Sequence, residues 1–399
     1  MRRLVLTIAS IIALTACTSD GLLKEMKKDN TVPQVITFSS YSEKATKGTD
    51  NGNTAKNTNL EYYHSTFAVH ATKKDIENEI QYVFGDTATM LGTTCYYTGN
   101  NTPTFYGTNW RYDEERFWDK YAYYNFIAYA PALPDTSLLV FRYGQNDEVG
   151  DLGVNGRDVV VPNYIMNGTN LHQAMPQTYL YEEFDDTTAG HDIDLMISQP
   201  ITNLRGTYNS TVQFDFHHIF SKLNISIAKT IGMNEGMVII DSLIITGLRD
   251  KGTYVESTYN DDPQAYNNGW TLATNNNPNF ELAYRRYDDS SNSRELPDQL
   301  EGQDPTPLYF IESLLLPQNV SDNAKLSLRY HITKNNGTYS EIFKYDIDFN
   351  KIFANILGRS YYTIKFRLES EAITFDADAA TWAEKEEQTV SVLPDPLNP

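Results

Sequence analysis

The chain is patterned as a succession of short runs in which apolar and polar residues alternate, and this period of two limits it to sheet structure. The strictest run is Leu223-Asn-Ile225-Ser-Ile227, which sends Leu223, Ile225 and Ile227 to one face. Ala324-Lys-Leu326-Ser-Leu328-Arg-Tyr330-His-Ile332 alternates again, and Asn335-Asn-Gly337 after it is a hairpin signal. Phe343-Lys-Tyr345-Asp-Ile347-Asp-Phe349 reads as the returning partner, and Tyr361-Tyr-Thr-Ile364-Lys-Phe366-Arg-Leu368 as a further strand. Val238 to Ile245 is almost wholly apolar, as expected of a central strand. The first half carries shorter runs at Tyr63–His70, Ile80–Phe84, Val159–Val161, Asp192–Ile197 and Val212–Phe216. No apolar repeat of 3.6 residues runs far enough to predict a helix. Strands at this spacing without helices between them predict an all-β chain of antiparallel sandwiches.

Composition agrees. The 399 residues include 28 Tyr and 18 Phe, side chains that favour pleated, half-buried surfaces. With 32 Lys+Arg against 52 Asp+Glu, the formal charge is −20. Such a field excludes nucleic acid as a partner, since phosphate binding needs clustered cations. Two cysteines, Cys17 and Cys95, allow at most one bridge and exclude a disulfide scaffold.

The first residues, Met1-Arg2-Arg3 and an apolar run from Leu4 to Ala13, have the form of a signal peptide spanning 1–16. The run is shorter than the roughly 20 residues a membrane helix needs. Leu14-Thr-Ala-Cys17 resembles the lipobox of bacterial lipoproteins, which implies that Cys17 is acylated and becomes the first mature residue. Several acyl chains, at about 0.8 kcal/mol per buried CH₂, hold a folded domain firmly at a membrane. Residues 17–59 form a polar arm interrupted by Val35-Ile36-Thr37-Phe38; Val32 to Tyr41 is a strand candidate, followed by a Gly-, Asn-, Thr- and Lys-rich linker from Glu43 to Thr58. The body divides at the turn-rich segment Ile201 to Ser210 into units 60–205 and 206–383, and residues 384–399 form a tail containing a short strand candidate, Thr389–Leu393.

A search for chemistry finds no nucleophile elbow, no His-Glu-x-x-His, no Cys-x-x-Cys and no phosphate loop. Cys95 reads as a small buried hydrophobe. His217-His218 is the one paired imidazole, but neighbours on a strand point to opposite faces, so a bend where the alternation changes parity explains it better than a shared metal. The acidic pairs Glu182-Glu183, Asp185-Asp186 and Asp288-Asp289 read as solvated loop charges rather than glycosidase carboxylates. Asp151 to Asp158 has the start of a calcium loop but reaches Pro162 where the bidentate Glu would stand. The densest feature is aromatic, from Trp110 through Trp118 to Tyr129: core for the most part, with Trp110 and Trp118 as candidate platforms for stacking a ligand. No cofactor or metal is expected.

The lipobox at Cys17, then Ile36-Thr-Phe-Ser, Ala45-Thr-Lys47-Gly48, Trp110…Trp118…Tyr124-Asn-Phe-Ile-Ala-Tyr-Ala-Pro131 and Val212-Gln-Phe-Asp-Phe-His-His, form an ordered series. Leu314-Leu-Leu-Pro317 and Gly358-Arg-Ser-Tyr-Tyr…Ile373-Thr-Phe…Trp382 complete it. In this succession the chain resembles the fimbrillin, or Mfa-like, family of type V pilus subunits and surface adhesins. The resemblance implies two tandem transthyretin-like sandwich domains and no catalysis. It also implies a surface-exposed lipoprotein of the outer membrane, with other pilus subunits as partners in a homo- or heteropolymer and a surface receptor that the sequence does not identify. Assembly is implied to proceed by strand exchange: a protease removes an N-terminal strand, here Val35 to Ser40, after a basic residue, here Lys47 before Gly48. Thr389 to Leu393 is then a candidate donor strand. Where the family's stalk subunits are cut after Arg this chain has Lys47; beyond Arg3 its next arginine is Arg111. The alternative reading is a surface lipoprotein that binds glycans for uptake with its Trp and Tyr residues as stacking platforms, Trp110 and Trp118 among them.

Overall fold

The computed structural model describes residues 34–42, 60–62, 64–77, 79–85, 91–99, 105–133, 140–143, 157–168, 192–206, 211–256, 269–274, 277–286, 295–334, 339–370, 373–381 and 390–391. Strands make up almost all of the regular structure described, and among the described residues helix is limited to short turns such as Phe349–Ile352.

The first sheet has nine strands. Its main path runs Thr37–Ser42, Thr211–His218, Met196–Ser198, Tyr123–Ala130, Thr66–Lys74, Thr93–Tyr97 and Trp110–Arg111. Ile201–Arg205 adds to Tyr123–Ala130, and Ile80–Phe84 to Thr66–Lys74. Thr211–His218 shows how sequence sets the faces. Val212, Phe214 and Phe216 are buried and Thr211, Gln213 and Asp215 exposed, until His217 and His218 are buried together. The expected bend follows at residues 219–220, where the chain leaves this sheet for the next.

Two further sheets enclose a core of Leu, Ile and Val. A five-stranded sheet runs Leu308–Leu315, Ser221–Lys229, Ser360–Leu368, Ile373–Thr381, Val390–Ser391. A four-stranded sheet runs Glu281–Arg285, Met237–Thr246, Lys325–Lys334, Tyr339–Asp348. Leu223, Ile225 and Ile227 of the first meet the same cluster as Val238, Ile240, Leu243, Leu326 and Leu328 of the second, and each such side chain contributes about 1.5–3 kcal/mol on burial. Met237–Thr246 is central, as its apolar run predicts. Lys325–Lys334 and Tyr339–Asp348 pair without a slip from Lys325↔Asp348 to Lys334↔Tyr339, on either side of the Asn335-Asn-Gly337 signal. A separate four-stranded sheet joins Trp270–Leu272, Lys251–Val255, Arg157–Ile165 and Val140–Tyr143.

One expectation changes. The ladders are not all antiparallel: Thr37–Ser42 pairs parallel with Thr211–His218, and Ser221–Lys229 parallel with Ser360–Leu368. Both couple strands far apart in sequence, as parallel pairing requires, because a tight turn cannot join them. Strands on either side of 205/206 share sheets. Thr211–His218 belongs to the first sheet because Val212, Phe214 and Phe216 fill its aromatic core. Arg157–Ile165, expected in the first unit, pairs instead with Lys251–Val255. Loop composition marks where a chain can turn, not which core its next apolar residues enter.

Candidate functional site

The alternation at Val35-Ile36-Thr37-Phe38 makes a strand whose Ile36 and Phe38 are fully buried. On one flank Thr37–Ser42 forms a parallel ladder with Thr211 to Phe216, and the Thr37 and Thr211 hydroxyls lie 2.9 Å apart. On the other flank the residues just before the strand meet segment 116–118. Ile36 N–H donates to the Arg116 carbonyl at 2.7 Å, and Trp118 N–H donates to the Gln34 carbonyl at 2.9 Å. The Tyr112 hydroxyl donates to the Ile36 carbonyl at 2.5 Å. Burial pushes the Tyr112 pKa well above the usual phenol range, more than its hydrogen bond from the Arg116 amide lowers it, so the hydroxyl keeps its proton.

Phe38 is the knob of this segment. Its ring centroid lies 5.0 Å from that of Phe84, 5.5 Å from Phe214, 5.6 Å from Tyr112, 6.2 Å from Phe67 and 6.3 Å from Phe126. Edge-on and tilted rings at these separations add about 0.5–1.5 kcal/mol per pair beyond their burial. The arrangement is a groove, walled by Thr211–His218 and segment 116–118 and floored by aromatic rings, with a single strand lying in it. Chemically it can do one thing: satisfy the backbone and the alternate apolar side chains of an extended peptide.

Trp110 and Trp118 do not serve as exposed stacking platforms here. They are 4% and 1% exposed, and both faces of each ring are taken by the core. Trp110 packs edge-on against Phe67 at 4.6 Å and tilted against Tyr97 at 5.3 Å, while Trp118 packs edge-on against Tyr124 at 4.8 Å. Large aromatic side chains in a strand-rich chain are drawn to the interior by their apolar area. Cys95 is buried, and burial pushes its thiol pKa well up. Cys17, Lys47 and Gly48 lie outside the described residues, as do the acidic pairs at 182–186 and 288–289 and residues 151–156 of the calcium-like stretch. Of the candidate donor strand, Val390–Ser391 is described, and it pairs with Asp376 and Ala377 of its own chain.

His217 and His218 point apart to different carboxylates. His217 Nε2 is 3.2 Å from Glu256 Oε2, which also accepts from the Tyr254 hydroxyl at 2.5 Å. His218 Nδ1 is 3.0 Å from Asp194 Oδ1, and His64 Nε2 lies 2.8 Å from the Asp194 carbonyl oxygen. Burial works to raise the Asp194 pKa, but His218, helped by His64 and Lys222, holds it below the usual carboxylate value. The pair thus pins the end of Thr211–His218 to the residue after Lys251–Val255 and to the segment leading into Met196–Ser198. Asp194 and Glu256 are invisible to sequence reasoning because they lie 24 and 39 residues from their histidines, with no spacing rule to connect them.

A fimbrillin-like family model matches residues 162–382. No curated protein matches. Among solved structures, the chain is similar to a fimbrial protein from Bacteroides vulgatus at 17% identity, covering 88% of this chain and 100% of that one, with a TM-score of 0.50. It is also similar to a proposed cell adhesion protein from Bacteroides ovatus, at 14% identity, 92% and 100% coverage and a TM-score of 0.46. At such identities the first likeness speaks for the fold alone. The family match, which spans more than half of the residues and all but the Val390–Ser391 strand of the two sheets of the aliphatic core, carries the assignment: the chain belongs to the fimbrillin-like family.

Proposed function

We propose that the chain is a non-catalytic fimbrial subunit, or a fimbrillin-like adhesin of the cell surface, built to assemble by strand exchange. The observation that carries this reading is the N-terminal strand: a short edge strand with Ile36 and Phe38 fully buried, joined to the body only through residues 43–59. Withdrawing it would expose the backbone edge of Thr211–His218 beside an apolar, ring-lined groove, and a strand from a neighbouring subunit would satisfy both. The basic residue for release is Lys47, before Gly48, and the tail around Val390–Ser391, held by a two-residue ladder, is the donor. In this reading the exported precursor is held in the outer membrane through acylated Cys17 until the cut after Lys47 frees it, and the mature chain carries two tandem transthyretin-like domains and polymerises with like or related subunits.

Intact mass and N-terminal sequencing of the protein from native cell surfaces test it. A start near Gly48, together with ladders of oligomers formed by a chain beginning there, is the expected result. A start at acylated Cys17 in assembled fibres, or a Gly48 chain that stays monomeric, overturns strand exchange. The glycan-uptake alternative cannot use Trp110 or Trp118 as platforms, since both are core residues, and would rest on exposed tyrosines such as Tyr106 and Tyr123.

A further inference from the structure

The outer face of the sheet Glu281–Arg285, Met237–Thr246, Lys325–Lys334, Tyr339–Asp348 carries a feature that assembly does not use. The register sets Arg285 opposite Ser242, Ser242 opposite Arg329, and Arg329 opposite Lys344. Three cations therefore lie in one row across four strands. Arg329 and Lys344 face each other directly, an arrangement that destabilises a sheet, in a chain where 52 carboxylates outnumber 32 Lys+Arg. Beside the row, the ladder slips between Ile240 and Ser242 and brings Asp241 next to Ser242. His331 Nδ1 lies 2.9 Å and Arg286 Nε 3.9 Å from Asp241 Oδ1. Asp241, Ser242, Arg285, Arg286, Arg329 and His331 line a cavity of about 600 Å³, with Ile244 and the exposed Ile342 as its apolar patch.

The cations are not equally engaged. Arg285 is held by both oxygens of Glu281, at 2.5 and 2.8 Å, and Lys344 by Asp346 at 3.2 Å. Arg329 is exposed and, among the described residues, its side chain has neither an ion pair nor a hydrogen bond. A rigid fork of donors is thus presented at the centre of a cationic row.

We propose that this cavity binds an acidic saccharide unit, with the Arg329 guanidinium taking its carboxylate or sulfate oxygens and Asp241 and Ser242 taking its hydroxyls. The volume is that of a small-ligand site. The donor set separates a sugar acid from an acidic peptide: Asp241 repels a run of carboxylates but accepts from sugar hydroxyls. Nor could a peptide reach Ser242 or Arg329 by adding to a ladder, because both lie on the two inner strands, which are already paired on both sides. The site stands apart from the N-terminal groove and does not depend on strand exchange.

Calorimetric titration of the full chain at low salt, with its N-terminal strand in place, tests this. The probes are glucuronate, glucose 6-sulfate, glucose and a glutamate-rich peptide. Expected is binding of glucuronate or glucose 6-sulfate, the tighter of the two naming the anion, with none of glucose and weakening by salt. Arg329→Gln should cost about tenfold to a hundredfold in affinity, and Arg329→Lys should recover part of it. Arg329 is exposed, so the fold of both variants is expected to hold and is checked by an unchanged melting temperature. The proposal is overturned if neither acid binds, if glucose binds equally, if Arg329→Gln binds unchanged, or if the peptide binds as tightly as the sugar acids.

Discussion

The two hydrophobic clusters are made of different side chains and are closed in different ways. Around the N-terminal strand the core is a set of rings, Phe38, Phe67, Phe84, Tyr112, Phe126, Phe214 and Phe216 among them. The second core is mainly aliphatic, drawn from Leu223, Ile225, Ile227, Val238, Ile240, Leu326 and Leu328. The aliphatic core is closed by long continuous ladders, such as that from Lys325↔Asp348 to Lys334↔Tyr339. The aromatic core takes one of its strands from before residue 43, with residues 43–59 between it and the body. Both bury their apolar residues completely, so burial alone does not distinguish them. What differs is that one core takes in a single short strand from the N-terminal end, with one large ring, Phe38, at its centre.

The most severe way to break this comparison is to remove the strand. A chain beginning at Gly48 loses the burial of Ile36 and Phe38, together about 3–6 kcal/mol, besides the strand's hydrogen bonds. Calorimetry should show the transition of the aromatic region lowered or lost and that of the aliphatic region kept, and a peptide of residues 34–42 should restore the first. One unchanged cooperative transition would mean the regions are not separable. Next in size, Phe38→Ala should cost about 3–5 kcal/mol and Ile225→Ala about 2–5 kcal/mol. The costs are similar but the consequences are not. After trypsin cuts at Lys47, only the Phe38→Ala protein should release its N-terminal peptide, as followed by mass spectrometry, while Ile225→Ala should lower the aliphatic transition and retain the peptide.

This difference was half legible in the sequence. Alternation set the faces of Leu223, Ile225 and Ile227, the register around Asn335-Asn-Gly337 and the strand at Ile36–Phe38, because each is a local pattern of period two. The parallel partner of the N-terminal strand lies at Thr211, a pairing fixed by core shape that no local pattern encodes. The aromatics illustrate the same limit. Trp110 and Trp118 were chemically able to stack on a ligand, and only the position of Phe67 and Tyr124 shows that their faces are used. The cationic row has no local signature, because Arg285, Arg329 and Lys344 become neighbours only once three ladders are aligned.

The seam at the end of the first sheet should respond by a smaller amount. Asp194→Asn removes the carboxylate partner of His218, at a cost of about 1–3 kcal/mol near neutral pH. Because the folded state holds the Asp194 pKa below its ordinary value of 3.8, its stabilisation is present above that value. It fades as pH falls through the lowered one. The gap between wild type and variant in denaturant titrations should therefore be full at pH 6 and narrow below about pH 4. A gap that widens on acidification would mean the charge is not stabilising there.

The smallest effect is expected on the surface of the aliphatic region. Asp348 is paired with Lys325 across the ladder and with Lys351 at 2.8 Å, and these contacts, Lys325 first, lower its pKa from 3.8 to about 2. A large shift of this kind on a solvated side chain does not translate into comparable stability, since water and salt screen both partners. The contribution has the sign of a depressed carboxylate, present above about pH 4 and lost between about pH 4 and pH 2. Asp348→Asn should accordingly leave the melting temperature at pH 7 almost unchanged, and the residual difference should vanish in 1 M salt. If register in this hairpin depended on its charges, the variant would instead slip. A one-residue slip would turn Leu326, Leu328 and Tyr330 outward, an outcome that amide exchange on Lys325–Lys334 would report at once. The expected protection is unaltered, because the buried alternation on Lys325–Lys334 already admits only one pairing.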